Sequence, residues 1–392
     1  MEFPYPYYFE ARTYNSSGKV DPYHTLDRFW AYAYQPNTHI KSYNELRKQG
    51  NAKLLVGYLS YESNRSLEKL SHTNRELEFP EIDFFEPESY QFEASEFQED
   101  DINFEVNWLE IPKPDFNKKE YLQTVKVLKA HLQAGDIYEI TFCIQLIGKI
   151  EIDKPYAFFN HLCKVNPNPF AALVKSGDVW IISASPERYI VKRDDILASQ
   201  PIKGTAGRDA NPKLDAELKN NLHKSEKERA ENVMIVDLVR NDLSRIAEKG
   251  SVHVPELFGV HSFPSVHQLI STIECKVKPE LEAYDIFKAS FPPGSMTGAP
   301  KISAMNLINQ YERNNRGPYS GSIGYIMPNG DMDFNVVIRS IIYNEKTGEI
   351  RIPIGGAITI KSDPEQEYNE CKIKALASLK ALHLNLEDIK WE

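Results

Sequence analysis

The sequence predicts an α+β fold, and three observations carry that prediction. Short apolar runs at residues 179–184, 188–192 and 196–200 succeed one another with only tight polar turns between them, as antiparallel strands do. Long helical patterns interrupt such runs and do not alternate with single strands, as a Rossmann-type repeat would require. The proline-bearing stretch 77–114 excludes a helix over a long acidic segment.

The elements follow in chain order. Residues 54–61 are a glycine-punctuated apolar strand. The acidic stretch 77–114, with Pro80, Pro87, Pro112 and Pro114, reads as edge strands and a connection. A boundary there divides the chain into an N-terminal lobe, 1–114, and a second domain, 115–392. Lys118–Ala134 carries Tyr121, Leu122, Val125, Leu128 and Leu132 at helical spacing, and Gly135 stops the helix. A strand over 137–150 precedes the three short strands. A single long polar helix is expected over 212–248, then strands over 321–327 and 334–343. Asp363 suits an N-cap and Pro364 the first position of a final helix.

Composition bounds the function. The 392 residues exceed one small core, and 41% apolar with 26% charged residues describes an ordinary soluble globule. A net charge of −10 without a basic cluster argues against nucleic acid. Cys143, Cys163, Cys275 and Cys371 form no C-x-x-C pair, so neither a zinc site nor a disulfide framework is expected. The first twelve residues lack a secretion-signal pattern, and no apolar run approaches the roughly 20 residues of a membrane span. The expectation is a cytoplasmic protein.

Several segments carry polar chemistry. Glu367, Glu370 and Lys374 share one face of the last helix, and Glu228 and Glu231 repeat the three-residue spacing on the earlier one. Two such faces brought together suit Mg²⁺; the same spacing also describes a solvated, salt-bridged surface. The loop 291–301 is either an anion-binding turn or a structural one, since its spacing fails the phosphate-loop pattern. Gly355 and Gly356, placed between a strand and the final helix, allow close approach to a ligand or simply form a bend. Arg339 is a carboxylate clamp or a strand-edge arginine. Lys203 in Pro201-Ile-Lys-Gly-Thr205 is a solvated turn lysine or a nucleophile, with Glu187 on a neighbouring short strand.

In order along the chain, these segments resemble the chorismate-utilising enzymes, which include anthranilate, aminodeoxychorismate, isochorismate and salicylate synthases. The resemblance rests on Ala134-Gly-Asp-Ile-Tyr138, Ser185-Pro-Glu-Arg188, Pro201-Ile-Lys-Gly-Thr205 and the run from Glu231 to Asp242. It continues through Phe291 to Lys301, Gly321-Ser-Ile-Gly-Tyr325, the run from Asp333 to Arg339 and that from Ser362 to Tyr368. It covers roughly residues 115–385; upstream it is weaker, chiefly Gly57-Tyr-Leu-Ser-Tyr-Glu62.

The resemblance implies two antiparallel sheets packed face to face with helices outside, an anthranilate-synthase-like fold with the substrate between the sheets. It implies Mg²⁺ on Glu231 and Glu370, with Glu228 and Glu367 holding metal-bound waters. Arg339 and Tyr319, with N–H groups near Gly355 and Gly356, would bind the enolpyruvyl carboxylate, and Lys374 the ring carboxylate. Thr205 and Gln268 would complete the substrate pocket. Lysine at 203 is the aminodeoxychorismate synthase pattern, where anthranilate synthases carry alanine. It implies attack by Lys203 at C2 while Glu187 protonates the leaving C4 hydroxyl, then amination at C4 toward p-aminobenzoate and folate. Glu139 stands where isochorismate and salicylate synthases keep a water-activating lysine, which argues against water as the nucleophile.

Lys203 must be neutral to attack, and burial with nearby cations is expected to lower its pKa; Glu187 must be protonated. Gln268 replaces the family histidine, with His267 one residue earlier, and Ala357 replaces a third glycine. No tryptophan-binding signature is visible near the N-terminus. The chain has no G-x-C-x-G glutaminase motif, which implies a separate glutamine amidotransferase partner delivering ammonia. Two alternatives stand beside this: anthranilate synthase component I, and a non-catalytic chorismate-binding subunit.

Overall fold

The computed structural model describes residues 4–13, 21–23, 27–68, 70, 76–93, 103–264 and 266–392. Among these, two antiparallel ten-stranded sheets form the body of the molecule. The first runs from Gly298–Ala299 through Glu139–Ile152, Glu349–Thr359, Ser340–Asn344, Val179–Ser185 and Phe170–Ser176 to Tyr7–Thr13, Arg28–Ala33 and Ser89–Glu93, with Val106–Pro114 beside Glu139–Ile152. The second runs from Ile202–Gly207 through Val266–Lys276, Ile196–Gln200, Arg188–Arg193, Met332–Asn335 and Ser322–Ile326 to Leu55–Leu59, Ile82–Phe85 and His39–Ile40, with His253–Ser262 beside Val266–Lys276. Strands from before residue 114 therefore enter both sheets.

Apolar burial explains the layering. Phe9, Phe29, Val174 and Ile181 of the first sheet meet Val56, Tyr58, Ile323 and Tyr325 of the second in one buried cluster. The other face of the first sheet packs under the helices Lys118–Ala134, Pro155–Val165 and Pro364–Ala381. That of the second packs under Tyr43–Gln49, Glu226–Ser244 and Ala283–Ser290. The α+β reading holds, with sheets inside and helices outside. The helix Lys118–Ala134 has the bounds read from its spacing. It starts at an Asn117/Glu120 capping box and ends at Gly135, whose φ of 84° is left-handed. No described helix is long and apolar enough to cross a membrane, and all four cysteines are buried and free.

Four expectations need correction. The helix over 212–248 is two helices, Pro212–Lys224 and Glu226–Ser244, because Ser225 is extended (φ −62°, ψ 111°) and its hydroxyl caps the Glu228 N–H. The strand over 334–343 is also two, Met332–Asn335 and Ser340–Asn344, one in each sheet. Arg339 stands at the crossing with φ 54°, a conformation that breaks a strand. Gly355 and Gly356 lie inside the strand Glu349–Thr359, opposite Cys143 and Phe142, not after it. Finally, Ile82–Phe85 is no edge strand: it is fully buried between Leu55–Leu59 and His39–Ile40. Residues 94–102 of the acidic stretch lie outside the described residues.

Candidate active site

A cavity of about 430 Å³ opens where the two sheets diverge beneath the two glutamate-bearing helices. It collects every residue singled out from the sequence as a site residue: Glu187, Lys203, Thr205, Glu228, Glu231, Gln268, Tyr319, Arg339, Gly355, Gly356, Glu367, Glu370 and Lys374 all line it. Thr205 is exposed at its rim, whereas Glu187, Lys203, Gln268 and Tyr319 are buried.

Local backbone events aim these side chains. The strand Ile202–Gly207 pairs with Val266–Lys276 at Ile202↔Ile270 and again at Thr205↔Gln268, with a register shift between. Lys203 and Gly204 occupy that irregularity, which turns the lysine out of the ladder and toward the cavity. Gly204 has φ 89°, and a Cβ there would meet the Glu228 side chain at 2.9 Å, so glycine serves both the turn and the close approach of a helix. Across the cavity Gly355 has no room for a side chain: a Cβ would lie 2.6 Å from Cys143 Sγ and 3.2 Å from the Tyr319 hydroxyl.

The break at Ser225 has a chemical consequence. It places Glu228 and Glu231 in the first two turns of one helix, just as Asp363 and Pro364 place Glu367 and Glu370 in the first two turns of the other. Two helix N-termini, with their positive dipole ends, therefore approach one cavity, an arrangement that favours an anionic ligand. The break was readable as Ser225 followed by Glu228, the S-x-x-E start signal.

Strand alternation decides the Gln268 question. Gln268 faces the cavity, and its buried Oε1 has no hydrogen-bond partner among the described residues. His267 points the other way, with Nδ1 2.9 Å from Ser262 Oγ and Nε2 3.0 Å from Asp215. A histidine one residue early cannot substitute, because the side-chain period of a strand is two.

The charges are arranged unevenly. Burial pushes the Glu187 carboxyl up to about 7. Burial likewise pushes Glu231 up to about 7, with the Glu139 and Glu228 carboxylates adding to it, and raises Glu367. Burial works upward on Glu370 too, but Lys374, at 2.7 Å, outweighs it and lowers that carboxyl. Lys374 also donates to the Gly355 carbonyl at 2.9 Å. Burial lowers the Arg339 pKa. Its guanidinium donates to the Lys374 carbonyl at 3.0 Å, and among the described residues it has no ion-pair partner.

Lys203 departs from expectation. Burial does work to lower its pKa, but Glu139, with Glu231 and Glu187 beyond, outweighs burial and raises it. The cause is an ion pair with Nζ 2.5 Å from Glu139 Oε1. Glu139 as the partner of Lys203 was not legible, because 64 residues separate the two. The loop 291–301 divides its roles. Ser295 and Met296 line the cavity, while Lys301 ties Asp242 (2.9 Å) to the Ser290 carbonyl (2.7 Å).

Chemically, the cavity offers a buried acid, a lysine, an unpaired arginine and four carboxylates on facing helix ends. Among the described residues no three His, Cys, Asp or Glu side chains gather into a protein-only metal cage. The donors are all oxygen and come in pairs from two helices. That fits Mg²⁺, which takes one or two carboxylates and leaves other positions to water and an anionic ligand.

Comparison with known proteins places this geometry. A family model described as chorismate binding enzyme matches residues 7–380. Aminodeoxychorismate synthase component 1 of Klebsiella aerogenes is 35% identical over 336 residues, covering 80% of this chain and 74% of that protein. The chloroplastic aminodeoxychorismate synthase of Arabidopsis thaliana is 41% identical over 272 residues, 69% of this chain and 29% of that protein. The match spans between 29% and 36% of the length of the first such relatives. Among solved structures, anthranilate synthase component I from Streptococcus pneumoniae superposes with a TM-score of 0.76 at 25% identity, covering 92% of this chain and 94% of that one. The menaquinone-specific isochorismate synthase from Escherichia coli shares the fold at 16% identity and a TM-score of 0.76, covering 96% of this chain and 88% of that one.

Proposed function

We propose that this chain, which belongs to the chorismate-binding enzymes, is the ring-aminating component of an aminodeoxychorismate synthase. It would convert chorismate and ammonia to 4-amino-4-deoxychorismate. The observation that carries this reading is the direction of Lys203: a strand irregularity sends it into the same cavity as Glu187, whose carboxyl is protonated up to about pH 7. An amine nucleophile and a neutral acid in one cavity are what a two-step substitution needs.

In this reading Lys203 attacks C2 while Glu187 gives its proton to the departing C4 hydroxyl, and ammonia then attacks C4 and expels the lysine. Arg339, beside Tyr319 and the Gly355–Gly356 backbone, would pair with the enolpyruvyl carboxylate, and Lys374 with the ring carboxylate. Thr205 and Gln268, on paired strands, would contact the ring. Glu231 and Glu370 would hold Mg²⁺, with Glu228 and Glu367 ordering its waters. When bound, the metal supplies positive charge that grips the ring carboxylate. A glutamine amidotransferase subunit would deliver the ammonia; relatives named component 1 support a second component.

The test is to incubate the protein with chorismate, Mg²⁺ and ammonium and to identify the product by mass and chromatography. Formation of 4-amino-4-deoxychorismate supports the reading. Anthranilate would move the chain to the other aminating branch, and no turnover even with an amidotransferase added would leave a chorismate-binding subunit.

A further inference from the structure

We propose that Glu139 is the base that takes the proton from Lys203, so that the lysine attacks as a neutral amine; this rests on the reading of Lys203 as the nucleophile. Three observations place Glu139 in that role. First, it is fully buried, and its Oε1 lies 2.5 Å from Lys203 Nζ, proton-transfer distance without an intervening water. Second, its other oxygen, Oε2, is buried and has no hydrogen-bond partner among the described residues. A carboxylate kept only for structure usually has both oxygens satisfied, and here one is left without a donor. Third, Glu139 sits behind Lys203, outside the lining of the cavity, so the lysine amine is the reacting group it meets.

The backbone holds it there. Glu139 opens the strand Glu139–Ile152 and is paired on both sides, to Thr359 and to Ala299. Gly298, at φ 152°, lets the 291–301 loop close onto it, since a Cβ at that position would lie 2.2 Å from the Glu139 carbonyl oxygen.

The steps balance. The resting pair is ammonium and carboxylate. When substrate displaces water from the cavity, the ion pair loses solvation and the neutral amine–acid pair becomes accessible. Lys203 passes one proton to Glu139, and its freed electron pair forms the N–C2 bond as both conjugated ring double bonds shift toward C4. The C4–O bond breaks, and the hydroxyl leaves as water with the Glu187 proton. Ammonia attacks C4 and the C2–N bond breaks, returning a neutral lysine that recovers its proton from Glu139. The new C4 ammonium gives a proton to Glu187, restoring the acid.

The experiment compares Glu139→Gln, Glu139→Asp and Lys203→Ala with the wild-type chain by two readouts. One is kcat and KM for chorismate with ammonium and Mg²⁺. The other is the rate at which acetic anhydride modifies Lys203 in the substrate-free protein at pH 8, located by peptide mass. Glu139→Gln removes the charge that keeps Lys203 protonated, so labelling accelerates. If Glu139 is the base, kcat nonetheless falls by more than tenfold with KM little changed, and Glu139→Asp keeps more activity than Glu139→Gln. Faster labelling together with unchanged or faster turnover would overturn the proposal and leave Glu139 as a charge holder. If Glu139→Gln does not fold, Glu139→Asp decides alone: a fall in kcat at constant KM supports the base, and wild-type kcat refutes it. Product formation by Lys203→Ala would instead defeat the nucleophile itself, an outcome separate from the role of Glu139.

Discussion

Two buried charge clusters in this molecule look alike in composition and behave oppositely. On the first sheet, Glu10 accepts from Arg12 Nε at 2.6 Å, Arg28 Nε at 2.8 Å and the Tyr8 hydroxyl at 2.5 Å, while Arg12 also donates to Asn160 at 2.6 Å. Both Glu10 oxygens are satisfied. Burial pushes its carboxyl up, yet the two arginines outweigh burial and hold it below the ordinary value. In the cavity the balance is reversed: burial wins at Glu187 and Glu231, and Glu139 Oε2 and Gln268 Oε1 are left without partners among the described residues. The lesson is that burial of charge alone does not separate the two clusters; how far each buried charge is compensated does.

The comparison can be broken most severely at the lysine. Lys203→Ala removes the proposed nucleophile and is expected to lower kcat by about 10³-fold or more, read as product formed per minute, because units that act together fail together. Activity within a few-fold of wild type would place this lysine in the same structural class as Arg12.

Glu187→Gln tests both sides of the contrast at once. Loss of the acid is expected to cost on the order of 10²–10⁴-fold in kcat. In the wild type kcat should fall as pH rises past about 7, because the acid must be protonated. Stability should move the other way. A carboxyl raised in the fold costs nothing below its ordinary range, and its cost grows as pH rises from there to about 7. The glutamine variant of the substrate-free protein should therefore be more stable at pH 8 by roughly 1–3 kcal/mol, and little changed at pH 5, in melting experiments.

Glu10→Gln should do the reverse, costing about 3–5 kcal/mol of stability by removing the buried charge that Arg12 and Arg28 share, with kcat per folded molecule unchanged. Because its carboxyl is held low, the stability it contributes is present at neutral pH and disappears as pH falls through the folded pKa. The smallest expected effect is that of Gly204→Ala. Its left-handed φ and the Glu228 contact should cost roughly 1–2 kcal/mol, seen as a melting shift of a few degrees with a raised KM for chorismate.

Local rules carried the reading where neighbours in sequence are neighbours in space. The helix Lys118–Ala134, the Asp363-Pro364 start and the shared face of Glu367, Glu370 and Lys374 all follow from helical spacing and capping. The Ser225 break was readable and was passed over because the polar pattern continues through it. The strand over 334–343 failed for a deeper reason: apolar alternation says a segment is buried, not in which sheet, and the Arg339 crossing depends on both sheets being present.

By itself the sequence determined the fold class, the family resemblance and a set of polar and glycine residues that the structure gathers at one cavity, because those depend on residue type, spacing and order. Only the tertiary structure decided the charge state of the site. The Lys203 ammonium is set by Glu139, 64 residues away, and by how much water each carboxylate has lost. Solvation and long-range pairing are properties of the packed molecule, and no local pattern encodes them.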